Sequence, residues 1–404
     1  MNPLRIVVVG TVASNPYAGM AWMHLQVVVG LQRLGHDVFY FETTSAWPFD
    51  PEKNARVCES TYALDYLSRV ADRFGLGARW AYRRSYLDKA WFGMTRTVAE
   101  EILATADLVF NITGATRFGE EDLKTGHLVY VGTDPVVHEI AYAHGDEEAK
   151  VIVEEHDDLV TYGENIGTSA SPIPPLPGLR AHTRQPVLMD FWDCGPPSRE
   201  EFTTVANWKQ DGRDIRFAGE TYRWSKHHEF LKFITIPEQV SLPVELAMNL
   251  ADPSTIQHGE GERVRTLGVE GDARSLLEAN GWRLKEARGF TTDPWAYRDY
   301  LVTSRGEFTV ARDLNVRLRS GWFSERSACY LAAGRPVITQ DTGFGRVLPT
   351  GEGLFSFSTE EEVLQAFDSV ASGYERHSRA AREIAEEFFK AERVLSSLLV
   401  ALGC

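Results

Sequence analysis

Leu4 to Val9 is an apolar, largely β-branched run that stops at Gly10, the pattern of a strand buried on both faces of a parallel sheet. After a loop from Thr11 to Tyr17, apolar residues recur at helical spacing from Ala18 to Leu34 and stop at Gly35, a residue type that ends helices. Val38 to Phe41 follows as a second strand, so the opening reads as a parallel βαβ unit. Helices are predicted over Val57 to Phe74 and Thr97 to Ala104, the second with a Thr97/Glu100 capping box, and strands over Leu108 to Ile112, Leu128 to Val131 and Leu159 to Tyr162.

Between Ser171 and Pro186 five prolines and a glycine exclude continuous helix or central strand, which marks a hinge. Beyond it, strands are expected at Val187 to Phe191, Ile215 to Phe217, Val244 to Met248, Trp282 to Lys285, Phe308 to Ala311 and Pro336 to Thr339. The helices between them start at Asp272, at Asp293 with Pro294 behind it, and at a Thr359/Glu362 capping box. The pattern therefore predicts an α/β protein with an N-terminal domain at 1–185, a second domain at 186–375, and a C-terminal helix at 376–404 packing back toward the first domain.

The 404 residues suit two domains, and the net charge of −15 argues against a nucleic-acid partner. Cys58, Cys194, Cys329 and Cys404 are scattered without metal or disulfide spacing. Met1 to Gly10 lacks the composition of a signal peptide, and no apolar run approaches the roughly 18 residues of a membrane span. A cytoplasmic protein without integral membrane contact is expected.

Chemistry concentrates in Ser320 to Gly343, SGWFSERSACYLAAGRPVITQDTG. Ser324 is placed to cap a helix with an apolar face of Ala328, Leu331 and Ala332, ended by Gly334. A helix start attracts anions, and Arg317, Arg319 and Arg326 add charge-assisted donors for a diphosphate. An ordinary capped helix with solvated arginines would have the same spacing.

LAAGRPVI (Leu331 to Ile338) followed by Asp341-Thr342-Gly343 resembles the donor-binding half of GT-B glycosyltransferases of the bacterial family 1 and family 4 type. FAGETYRWSKHHEFLKFI (Phe217 to Ile234) resembles their other donor motif, and the N-terminal GTVASNPYAGMAWMHLQVVVGLQRLGHDVFYFE is similar to their first loop and helix. The resemblance implies two Rossmann-like, doubly wound parallel-sheet domains facing a cleft, and a nucleotide-diphosphate sugar as co-substrate with no further cofactor and no metal. It implies donor contacts from Arg223, Lys226, Arg319, Ser324, Glu325, Arg326, Asp341 and Gly343, and an acceptor-side loop set of Gly10, Gly19 and Glu164. The pair of glutamates seven residues apart carried by many retaining members is not matched: Gly321 and Cys329 stand there, so the stereochemical course is left open.

An inverting reaction needs a base for the acceptor hydroxyl. Asp134, in VGTDP after a predicted strand, and His24, on the first helix, are the candidates, with His138 and Glu164 behind them. Their structural alternatives are a turn cap for Asp134 and a packed core residue for His24. His227-His228 lacks the spacing of a metal site. Trp208, Tyr222, Trp224 and Trp295 offer stacking faces or wall packing, and Cys329 reads as a buried apolar residue. The acceptor, a small molecule or a glycan, is not identified by these motifs. A nucleotide-sugar epimerase of the same fold and a non-catalytic nucleotide or sugar sensor are the competing readings. A nicotinamide-dependent oxidoreductase is disfavoured because Gly10-Thr11-Val12 lacks the glycine fingerprint.

Overall fold

The computed structural model describes the chain apart from residues 1, 44, 211, 253–254, 259–261 and 266–267. It divides into two compact units. The first comprises Met1–Gly163, Pro174–Leu188 and Ala391–Cys404, and the second Glu164–Ile173 and Met189–Lys390. The expected boundary near 185 is thus crossed by a short excursion, Glu164–Ile173, that packs with the second unit. Of the expected C-terminal helix at 376–404, only the part from Ala391 onward belongs to the first unit.

In the first unit the strands are β1 (Arg5–Val9), β2 (Asp37–Glu42), a small pair β3 (Phe49–Asp50) and β4 (Ala55–Arg56), β5 (Trp80–Arg83), β6 (Trp91–Phe92), β7 (Leu108–Ile112), β8 (His127–Gly132), β9 (Asp158–Thr161) and β10 (Leu179–His182). The main sheet has the order β10-β9-β8-β7-β1-β2-β5-β6. Every neighbouring pair in it is parallel except β5 with β6. Val7, Val9, Phe41 and Val109 are buried on one face with Leu103, because a parallel strand covered on both sides has no solvated face to give to polar residues. The helix Ala18–Arg33 ends at Gly35, whose φ of 92° is open to glycine at little cost. The helix Ala391–Ala401 lies so close to it that a Cβ on Gly30 would come within 2.5 Å of Leu395 Cδ1.

The second unit contains β11 (Phe202–Val205), the hairpin β12 (Ile215–Phe217) with β13 (Glu220–Tyr222), β14 (Val244–Met248), the hairpin β15 (Thr255–His258) with β16 (Glu262–Arg265), β17 (Arg283–Glu286), β18 (Gly306–Thr309), β19 (Val337–Gln340) and β20 (Leu354–Phe357). Its main sheet is wholly parallel, in the order β17-β14-β11-β18-β19-β20. Both units are therefore doubly wound α/β layers, each with its own apolar core.

Several local expectations change. Val187 to Phe191 is no strand: the backbone N–H of Leu188 donates to Gln26 Oε1, the carbonyl of Val187 accepts from Ala391, and Met189–Trp192 forms a 3₁₀ turn. Ile215 to Phe217 is a strand but pairs only with β13, outside the main sheet. The helix expected from Thr97 begins at Arg96, with Thr95 at its cap, so Thr97 is inside the first turn and builds no capping box. Asp272 is likewise inside its helix, Gly271–Ala279, with Glu270 at the cap. Asp293 caps Trp295 and Ala296 as expected, and the Thr359/Glu362 box is present.

Candidate active site

In the second unit the strand order changes direction between β11 and β18, and ligands in doubly wound sheets bind outside the C-terminal ends of strands at such a point. The two strands are in register for two residue pairs, Phe202 with Gly306 and Thr203 with Glu307. Arg326 fills the gap beyond. Its guanidinium donates to Glu307 Oε1 at 2.5 Å, to the Val205 carbonyl at 2.6 Å and to Thr309 Oγ1 at 3.0 Å. Burial works against the cation, but the Glu307 carboxylate, itself fully buried, overrides that and raises the Arg326 pKa above its ordinary value. Arg326, expected as a donor-binding cation, is instead committed to this internal ion pair, because the crevice floor supplies a carboxylate and a carbonyl that need it.

The helix Glu325–Ala332 starts directly above, with Ser324 at its cap position in extended conformation. The Ser324 hydroxyl makes no capping hydrogen bond, so the residue marks the helix start without closing it. Glu325 accepts the thiol of Cys329 one turn later, at 3.1 Å, and Cys329 is fully buried among Leu331 and Ala332 as expected. Gly334 ends the helix with φ 67°.

Beside this floor lies Lys226, half-buried, at the start of the short helix His227–Lys232. Its ammonium is 6.0 Å from the ring of Trp322, an aromatic partner that sequence reading passed over. Arg223 is half-exposed and paired with Asp214 at 2.6 Å, while its backbone N–H donates to the buried Asp313. Burial would raise the Asp214 pKa; the bonds from Trp224 N–H and the Arg223 guanidinium outweigh it and hold the carboxyl below its ordinary range. Trp224 is buried, with Arg312 3.7 Å over its ring and Arg213 at 5.1 Å. Trp208 stacks on Phe230 within the core. Arg317 sits over Tyr222 and bonds the Thr221 carbonyl, which ties the β12–β13 hairpin to the helix Asp313–Arg317. Trp295 packs edge-on against Phe191, and His227 Nδ1 meets Ser225 Oγ at 2.7 Å.

The loops after the helix Asp313–Arg317 and after β19 complete this edge. Arg319 has φ 49°, rare for a residue with a side chain, and its guanidinium reaches Asp341 Oδ2 at 3.1 Å. Asp341 Oδ1 accepts the Gly343 N–H at 2.7 Å, and Gly343 has φ 89°. Lys226, Arg319, Ser324, Glu325, Asp341 and Gly343 thus lie on the loops and helix starts that follow this unit's parallel strands.

In the first unit the switch point falls between β1 and β7. The loop after β1 is held from below. Glu42, fully buried, accepts the N–H groups of Ala13 and Ser14 at 2.7 and 2.6 Å and the Tyr40 hydroxyl at 3.0 Å, while Val12 N–H donates to Tyr40. Burial raises the Glu42 pKa to about 7 despite these bonds. Sequence reading missed Glu42 because a glutamate ending a strand carries no signal of what lies above it. His24, expected as a possible base, is buried and spent on the loop. Its Nδ1 donates to the Met20 carbonyl at 2.7 Å, Nε2 accepts from Thr11 N–H at 3.4 Å, and burial lowers its pKa to about 4. Gly10 is required there: a Cβ would lie 2.0 Å from His24 Cδ2. Gly19 is the second residue of the helix Ala18–Arg33.

Asp134 is half-buried just past the C-terminal end of β8. The neighbouring Val136 has φ 98° and ψ −50°, a strained conformation for a β-branched residue, held by Glu139 Oε2 accepting its N–H at 2.7 Å. Burial, with Asp134 adding to it, raises the Glu139 pKa to about 7. His138 Nδ1 is 2.5 Å from the buried Tyr130 hydroxyl. Glu164, expected on the acceptor side, belongs with the second unit's Glu164–Ile173 segment.

No protein-family model matches the chain, and no curated protein matches it. Solved structures do match over the whole length. The Anabaena HepE protein, in complex with UDP-glucose, superposes with a TM-score of 0.56 at 9% identity, covering 99% of each chain. An alpha-glucosyltransferase solved with UDP and a 13-mer DNA containing an HMU base gives 0.58 at 8% identity over 100% of both chains. The sucrose-phosphate synthase of Thermosynechococcus elongatus gives 0.53 at 11% over 98% of each. Two doubly wound units, matched along their full length by these structures, give the chain the GT-B fold.

Proposed function

We propose that the protein is a glycosyltransferase that moves a sugar from a nucleoside diphosphate sugar onto a hydroxyl of a small molecule or glycan. The observation that carries this reading is the set of diphosphate-compatible groups at the switch point of the second unit: Lys226, Arg319 and the start of the helix Glu325–Ala332, in a fold of which two solved examples hold UDP-glucose and UDP. In this reading those groups stabilise the charge that develops on the departing diphosphate, and the C–O bond to the anomeric carbon breaks as the acceptor oxygen bonds to it. The acceptor's proton goes to a carboxylate of the first unit, for which we take Asp134, at the end of β8. Arginine, lysine and helix dipole take the place of a divalent ion, so turnover is expected to survive EDTA.

Among the described residues no helix is long and apolar enough to cross a membrane. The four cysteines are scattered along the sequence without disulfide spacing, which suits the reducing cytoplasm where we place the reaction. The experiment is incubation with UDP-, GDP-, ADP- and dTDP-sugars, with and without EDTA and acceptor mixtures, following nucleoside diphosphate release and the fate of the sugar. Acceptor-dependent release supports transfer. A changed sugar still attached to nucleotide points to epimerisation, and binding without turnover to a sensor. No binding of any of these nucleotides would sink the reading.

A further inference from the structure

The loops that carry Arg319 and Gly343 are pinned by a single side chain. Asn165 is buried, and its Nδ2 donates to both the Arg319 carbonyl and the Gly343 carbonyl, each at 3.1 Å, while its backbone N–H donates to the Ser320 carbonyl at 3.0 Å. Two carbonyls facing one amide can be satisfied only by its NH₂, which fixes the orientation of the group. The fit is tight on both sides. A Cβ added to Gly343 would come 2.5 Å from Asn165 Nδ2, and one added to Gly321 would come 2.7 Å from the Asn165 nitrogen; both glycines have positive φ. Ser171, from the same segment, donates its hydroxyl to the Leu318 carbonyl at 2.7 Å, so consecutive carbonyls 318, 319 and 320 are all bound from Glu164–Ile173.

Arg319 gains most from this. Its left-handed backbone is unfavourable in a residue with a Cβ and persists only where neighbours fix it. That backbone sets the direction in which its half-exposed guanidinium leaves the loop toward Asp341.

We infer that Asn165 is the positioning residue of the donor site, holding the 318–321 and 341–343 loops together so that Arg319 meets the donor's diphosphate in a fixed pose. This rests on the donor reading above for the role of Arg319. The geometric part stands without it.

Two measurements test it on the full-length protein. Hydrogen exchange on the ligand-free chain should show the Gly321 and Gly343 amides, bonded to the Thr342 carbonyl and to Asp341, exchanging about ten-fold faster in Asn165→Ala and in the isosteric Asn165→Asp. Asn165→Asp keeps the volume but points an acceptor at two carbonyls, so it tests the donors themselves if the alanine variant folds poorly. Calorimetric titration with UDP should show Asn165→Ala and Arg319→Ala each weakening binding by about ten-fold, and the double variant no weaker than the worse single one. Unchanged exchange in both Asn165 variants overturns the proposal. So do losses that multiply in the double variant, since Asn165 would then not act through Arg319. If wild type binds none of UDP, GDP, ADP and dTDP, the donor reading fails and with it the link to the diphosphate, while the exchange result still decides whether Asn165 orders the loops.

Discussion

Removing Arg326 should destabilise the second unit far more than it weakens nucleotide binding. The guanidinium makes three bonds within the crevice floor, to Glu307 at 2.5 Å, the Val205 carbonyl at 2.6 Å and Thr309 at 3.0 Å. Glu307 is fully buried, so Arg326→Ala leaves a carboxylate without water and without a counterion. Breaking one side of such a pair costs about 3–5 kcal/mol. A domain of about 200 residues loses roughly 2–4 °C of Tm per kcal/mol, so the melting transition should fall by about 6–20 °C. Removing both charges, as in Arg326→Met with Glu307→Leu, should recover most of this, because a buried ion pair exchanged for apolar groups of similar size is close to neutral in stability. Urea unfolding followed by tryptophan fluorescence measures each variant, and the chain has ten tryptophans to report it. The reasoning fails if Arg326→Ala unfolds like wild type yet loses nucleotide affinity, for the side chain would then be a ligand group. It fails equally if the double replacement is as unstable as the single one.

Three other outcomes follow from the same geometry. Lys226→Ala should weaken UDP binding by about 1–3 kcal/mol, checked by calorimetry, and unchanged affinity would remove it from the site. Asp134→Asn should keep donor affinity while turnover falls by about 10²- to 10⁴-fold in a nucleotide-release assay; near-normal turnover would place the base elsewhere or indicate a retaining course. Glu42, with its pKa raised from 4.5 to about 7, holds a proton in the fold that the unfolded chain has already released, so its contribution to stability is lost as pH rises from about 4.5 through 7. Glu42→Gln should therefore gain on wild type across that window by up to about 3 kcal/mol in unfolding free energy, and parallel pH profiles of the two would refute the shift.

Much of the scaffold could be read from neighbours along the chain. β1, β7, β8, β14 and β19 are short apolar runs, Gly35 and Gly334 stop their helices, and Thr359 with Glu362 caps another, all of which depend on residues within a few positions of each other. β11 escaped because it is FTTV. Thr203 and Thr204 look like loop residues, but their hydroxyls bond Ser304, Tyr330 and Thr309, partners more than 100 residues away, which lets them lie fully buried at the centre of the sheet. Val187 to Phe191 erred in the opposite direction, since an apolar run records burial and not which backbone partner satisfies it.

The same limit governs the site. Sequence determined that arginines, a lysine and a helix start cluster after the strands of the second unit, because these motifs are local. It could not determine which cations are already spent. Arg326 reads as one more exposed cation of the motif, yet it faces a buried glutamate. His24 reads as a titratable group on a helix until Gly10 and the Thr11 N–H close over it. Asn165 is 154 and 178 residues from the carbonyls it binds. Local elements follow from contacts that persist at every length of chain, whereas charge compensation, burial and the pinning of loops arise only when distant segments meet, and that meeting is what the tertiary structure decides.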